Sequence, residues 1–161
     1  MAETISLPDT KDRSAMHAAL LPQVQGLLAD ETDAVAAMAN LTAAIAQAFR
    51  FHWVGFYRVV NDELVLGPFQ GPVACTRIQS GRGVCGTAWA EDRTVIVPDV
   101  DLFPGHIACS VLSRSEVVVP LHDAHGRVAA VLDVDSSVLN DLGPVDAAGL
   151  EALCRLIEPL L

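Results

Sequence analysis

Apolar residues recur at helical spacing at both ends of the chain and alternate with polar ones through its middle. The first ten or so residues follow no period and read as a frayed tail. After them, "KDRSAMHAALLPQVQGLLAD" carries a helical pattern interrupted by Pro22, which fits one or two short helices. In "DAVAAMANLTAAIAQAF", Val35, Met38, Leu41, Ile45 and Phe49 share one face, so an amphipathic helix capped by Asp30 or Thr32 is predicted. Thr42 is the polar member of that stripe, and its hydroxyl can bond to a carbonyl one turn earlier.

The middle of the chain reads as strands. "FHWVGFYRVV" and "ELVLGPF" flank Asn61 and Asp62 in the pattern of a hairpin. "GVCGTAWAED" suits a short helix after a glycine turn, and "RTVIVPDV" a strand halted by Pro98. "SEVVVPLHD" and "GRVAAVLDVDS" form a second hairpin through the turn from Asp123 to Gly126. Gly143 and Pro144 open a last helix, with Leu150, Leu153, Cys154, Ile157 and Leu160 or Leu161 along one side. The expected fold class is α+β: an antiparallel sheet of five or six strands with N- and C-terminal helices packed on it. At 161 residues, the chain divides into a flexible tail over 1–10 and one domain over 11–161.

Composition narrows the partners. No apolar run reaches the length of a membrane span, and the start lacks the basic and apolar regions of a secretory signal, so a reducing cytoplasm is expected. The formal charge is -10 and the basic residues, nine arginines and Lys11, form no patch, which argues against nucleic acid.

The cysteines carry the candidate chemistry. Cys154 sits on the apolar stripe of the last helix and reads as a small hydrophobe. Cys75, Cys85 and Cys109 lie instead at turns or element ends beside Gly, Thr, Ser and Arg, where solvent or ligand can reach a thiol. Three unrelated buried thiols are the plain alternative. A zinc site wants close pairs, whereas nine residues separate Cys75 from Cys85 and twenty-three separate Cys85 from Cys109, so no metal is expected. A redox pair needs only that the fold bring two cysteines together.

The blocks "PFQGPVAC", "GRGVCGTAW", "FPGHIAC", "SRSEVVVPL" and "VLDVDS", in that order, resemble the signature of the free methionine-(R)-sulfoxide reductases, which are catalytic GAF domains. The resemblance is dense from Phe51 to Ser137. It implies a GAF-like fold, Cys109 as nucleophile, Cys75 as the resolving thiol and Cys85 as an auxiliary partner. It also implies a homodimer through the terminal helices, a thioredoxin-type external reductant and no bound cofactor. Ser110 stands where the family usually has an acid, and Asn140, Asp141 and Leu142 stand where Arg-Phe is usual.

The residues fit such chemistry independently. Thiolate attack on a sulfoxide requires a proton for the departing oxygen, so a thiol and a carboxylic acid must converge, and Cys109 and Glu116 are the candidates. Asp133 and Asp135 share a face of one strand, and a neighbouring strand can bring Glu116 alongside. Clustered carboxylates retain a proton near neutral pH. The ammonium of free methionine sulfoxide can pair with these acids, which would select the free amino acid. Trp53 and Tyr57, four apart on a strand, match the family's aromatic wall for the substrate methyl group and equally suit core packing. Gly83 and Val84 open a helix whose free N–H groups can hold a carboxylate, and Asp99 is a further candidate for the ammonium. A non-catalytic GAF sensor, binding a small ligand or reporting oxidants through its cysteines, is the alternative from another class.

Overall fold

The computed structural model describes residues 4–107 and 110–161. Two helices, α1 (Arg13–Leu27) and α2 (Ala34–Phe49), precede the hairpin β1 (Trp53–Val60) and β2 (Glu63–Gln70) and the short β3 (Arg77–Ile78). Helix α3 (Gly83–Glu91), β4 (Val95–Val97) and the hairpin β5 (Ser115–His122) and β6 (Val128–Ser136) follow, and α4 (Pro144–Cys154) closes the order. The described strands form one six-stranded sheet in the order β3-β2-β1-β6-β5-β4, and every neighbouring pair is antiparallel.

The two predicted hairpins form as the alternation requires. Asn61 and Asp62 both take positive φ, 52° and 60°, the geometry of a two-residue turn whose twist suits a hairpin. Strand alternation then divides the core. Val54, Phe56, Val117, Val119, Leu132 and Val134 face one way, against α1, α2 and α4. Trp53, Tyr57, Val118 and Val131 face the other way, toward α3 and the connecting segments.

Several local expectations shift. Helix α1 runs unbroken through Pro22, with the Gln23 side chain donating to the Ala19 carbonyl at 2.7 Å. Segment 4–10 has no helix or strand, but Ile5 and Leu7 pack on the core and Ser6 exchanges two hydrogen bonds with Gln23. The cap of α2 is Asp33, which accepts from the Ala36 N–H at 2.8 Å, and not Asp30 or Thr32. Val35, in the first turn of α2, is exposed although it shares a face with buried Thr42 seven residues on. Thr42 is fully buried and donates to the Ala39 carbonyl, as expected. The last helix stops at Cys154; buried Ile157 follows in a turn, and Pro159 sits in a 3-10 turn over Glu158–Leu160.

Candidate active site

The site lies on the sheet face opposite α1, α2 and α4, and the strand register assembles it. Glu116 of β5 pairs with Asp135 of β6, which pairs in turn with Trp53 of β1. One row of the sheet thus reads Glu116, Asp135, Trp53. In the next row Asp133 lies between Val118 and Gly55. Two carboxylates spaced by two on β6 therefore point into the same space as the glutamate of β5.

Helix α3 covers this face. Gly83 opens it with φ +61°, and Gly83, Val84 and Cys85 wall one side of a cleft whose other wall includes His106, Ser113, Glu116, Asp133 and Asp135. A second cleft shares Asp133 and Asp135 and is bounded by Trp53, Tyr57, Val73, Ala74 and Ser110. Gly86 fixes how near α3 comes, because a Cβ there would lie 2.4 Å from the Gln79 carbonyl oxygen.

Burial sets the charges. Glu116 and Asp133 are each more than nine-tenths buried. Loss of water, reinforced by the negative charge of Asp135, raises both carboxyls well above the usual carboxylate range. The two lie within reach of each other, and the upward shift of both favours a protonated carboxyl in the pair. The Cys85 thiol also bonds to Asp133, and burial with the adjoining acids pushes its pKa up. Asp135 is raised by burial to about 6, held down in part by a hydrogen bond from Ser113 and by His106. His106 Nε2 stands 3.6 Å from Glu116 Oε2. One buried oxygen, Asp133 Oδ1, has no hydrogen-bond partner.

Cys85, Glu116 and Asp133 bring one sulfur and two carboxylate oxygens within 4.8 Å of one another, a set that could hold a cation.

The raised carboxyl of Asp135 has a consequence for stability. The ordinary aspartate value is 3.8, so between there and about 6 the folded state binds a proton that the unfolded state has lost. Stability from this group is full at low pH and falls as pH rises through that window. Asp135→Asn removes the cost. Denaturant titrations at about pH 4 and about pH 7.5 should show the variant gaining on the wild type by up to about 3 kcal/mol at the higher pH. A gap that does not change with pH would remove the ionised Asp135 as its cause.

The aromatic pair is ordered by the same row. Trp53 stacks on Tyr57 at 5.9 Å and on Phe69 at 5.5 Å between ring centroids. Its indole folds over Gly55, where a Cβ would lie 2.2 Å from Trp53 Cη2. Trp53 Nε1 donates to the Pro72 carbonyl and Tyr57 OH to the Cys75 carbonyl, so both rings hold the segment that carries Cys75. Trp53 and Tyr57 are buried and also line the second cleft.

Cys75 is disulfide-bonded, whereas Cys85 and Cys154 are free and buried. Cys154 belongs to the core under the terminal helices. Cys109 lies outside the described residues. Asp99 is not brought to the cluster: its carboxylate caps a 3-10 turn by accepting from the Asp101 N–H, and it lines a separate groove with Leu102 and Phe103. Gly55, Phe69 and Ser113 escaped the sequence reading. Gly55 had a signal, a glycine inside a strand between two aromatics of the same face, which marks a close approach. Ser113 had none, because its bond to Asp135 depends on tertiary placement.

The GAF-domain family model matches residues 33–159. The chain is 52% identical to free methionine-R-sulfoxide reductase from Neisseria meningitidis, whose X-ray structure in complex with its substrate superposes with a TM-score of 0.91, covering 96% of this chain and 94% of that one. It is 51% identical to GAF domain-containing protein A of Dictyostelium discoideum, over 98% of this chain and 99% of that protein. The free methionine-R-sulfoxide reductase of Escherichia coli (strain K12) is 41% identical, with 93% and 91% covered. Likeness of this extent, in sequence and in fold, places the chain in the GAF-domain family, among the free methionine-R-sulfoxide reductases.

Proposed function

We propose that this protein reduces free L-methionine-(R)-sulfoxide to methionine, using Cys109 as nucleophile, Glu116 as proton donor and Cys75 as resolving thiol. The observation that carries the reading is the cluster of Glu116, Asp133 and Asp135, carboxyls that burial raises, gathered in a cleft beside the Trp53 wall and the Cys75 segment. The Cys109 thiolate attacks the sulfoxide sulfur as the oxygen takes that proton. Methionine leaves and Cys109 keeps the oxygen as a sulfenic acid. Cys75 then attacks the sulfenic sulfur, releasing water and forming a disulfide, so two electrons pass from two thiols to the sulfoxide. Cys85, buried and bonded to Asp133, is the auxiliary thiol.

Asp135, with the unpartnered Asp133 Oδ1, receives the substrate ammonium, while the N–H groups of Gly83 and Val84 take its carboxylate. Trp53 and Tyr57 face the methyl group. No bound cofactor or metal enters the cycle, and a thioredoxin-type dithiol closes it. No helix among the described residues is long and apolar enough to cross a membrane, and the enzyme works in the cytoplasm. It is a homodimer through the terminal helices, where an apolar groove between α1 and α4 is lined by Ala18, Leu21 and Val145.

The test is methionine formation from the two sulfoxide epimers, free and N-acetylated. The free R epimer should be turned over and the N-acetylated one should lose roughly a hundredfold in kcat/KM, the cost of leaving buried carboxylates without their cation. Equal turnover of the two would sink the ammonium pairing. Ligand binding without turnover would make the domain a sensor.

A further inference from the structure

The described residues carry nine large apolar side chains that stand exposed, and six of them, Val73, Leu102, Val111, Leu112, Val138 and Leu139, lie beside the site or on segments hydrogen-bonded in turn to those that border it. Val73 and Ser110 border the same cleft. The Arg114 N–H donates to the Ser136 carbonyl, the Val100 N–H to the Arg114 carbonyl and the Ser115 hydroxyl to the Val138 carbonyl, which ties the other three segments together. Val73, two residues before Cys75, is 88% exposed, and Val111, two residues after Cys109, is 91% exposed. Loop tips that served only to close the cleft would carry polar residues at such positions, since water meets them on nearly every side.

The disulfide of Cys75 sets a requirement that this rim can meet. A disulfide is opened only when an external thiolate reaches one of its sulfurs: a mixed disulfide forms and one cysteine leaves as thiolate. A second thiol on the same reductant then attacks its own mixed-disulfide sulfur, releasing the other cysteine and leaving the reductant oxidised by two electrons. A protein dithiol must therefore seat its surface over the segment that carries Cys75. The area it covers is the rim.

We propose that the apolar rim formed by Val73, Leu102, Val111, Leu112, Val138 and Leu139 is the docking surface for the dithiol protein that reopens the Cys75 disulfide. The surface deepens the reading of the chain as a thiol-dependent reductase and rests on it for the identity of the reductant class. Exposed apolar side chains gathered around one site mark a surface that another molecule covers. Leu112 and Val138 border neither cleft of the site, so a small dithiol that needs no docking should be indifferent to them.

The experiment uses the oxidised full-length protein without any sulfoxide. Disulfide opening is followed in stopped flow, with a thioredoxin-type protein dithiol or with dithiothreitol. Leu112→Asp and Val138→Asp should slow the protein reductant about tenfold while the dithiothreitol rate stays unchanged. Val35→Asp on α2, an exposed apolar position on the opposite side, should change neither rate. Unaltered rim variants would overturn the proposal, as would an equal loss with both reductants. So would a lower mass in sedimentation with unaltered rates, which would make the rim a contact between copies of this chain. The assay needs no turnover of sulfoxide: a selective loss in the rim variants of a protein that fails to make methionine would leave the docking surface standing and remove the proposed substrate.

Discussion

Cys109→Ser should form no methionine with either a protein dithiol or dithiothreitol, while Cys75→Ser should keep activity with dithiothreitol and lose most of it with the protein. The contrast follows from the proposed chemistry, in which only one thiol touches the substrate. Without a resolving thiol, Cys109 stops as a sulfenic acid, which a small dithiol can reach and reduce directly. The protein dithiol acts on a disulfide, so its rate should fall by about tenfold or more relative to dithiothreitol. Cys85 is a poor substitute: it is buried, bonded to Asp133 and held in the thiol form by burial and by the neighbouring acids. The combined change of Cys75 and Cys85 to Ser gives the cleanest reading. Mass analysis after a single turnover should place one oxygen, or its dimedone adduct, on Cys109 with one equivalent of methionine. An oxygen on Cys75 with Cys109 unmodified would reverse the assignment.

Glu116→Gln is expected to lower kcat by about a hundredfold to ten-thousandfold with a much smaller change in KM, the signature of a lost proton donor. The amide keeps the size of the side chain and can still bond to Asp133, so the cleft should retain its shape. What it lacks is the acidic proton that the raised carboxyl of Glu116 favours. Asp135→Asn should show the opposite balance, a raised KM for the free amino acid with less effect on kcat, because in the proposed binding mode its charge faces the ammonium and not the oxygen. Comparable kcat losses in both variants would mean that the proton is not localised on the Glu116–Asp133 pair.

Much of this arrangement was legible before any coordinates. The hairpin turn at Asn61 and Asp62 and the strand stop at Pro98 are local backbone chemistry, and each fell where the residues required. The shared face of Asp133 and Asp135 is a consequence of strand period alone. What sequence could not fix was register between strands distant in the chain. Nothing local states that Glu116 meets Asp135 and not its neighbour, yet a slip of one residue would turn the carboxylate to the other face. Helix ends failed for a related reason. Asp30, Thr32 and Asp33 are all competent caps, and the choice of Asp33 was made by where α2 packs. Asp99 misled because a carboxylate beside a proline turn serves equally well to cap that turn, which is what it does.

The pairing of β1 with β6 joins the two hairpins, and it unites the strands farthest apart in sequence. Each hairpin can zip locally, but this seam must close a loop holding β2, β3, α3, β4 and β5, so its entropic cost falls late in folding. The seam is also where Trp53 meets Asp135, and where Gly55 meets Asp133. A chain with both hairpins formed and the seam open would hold every site residue and no site. Amides along β1 and β6 should accordingly exchange with solvent only through whole-domain opening, and a ligand bound in the cleft should slow that opening throughout the sheet.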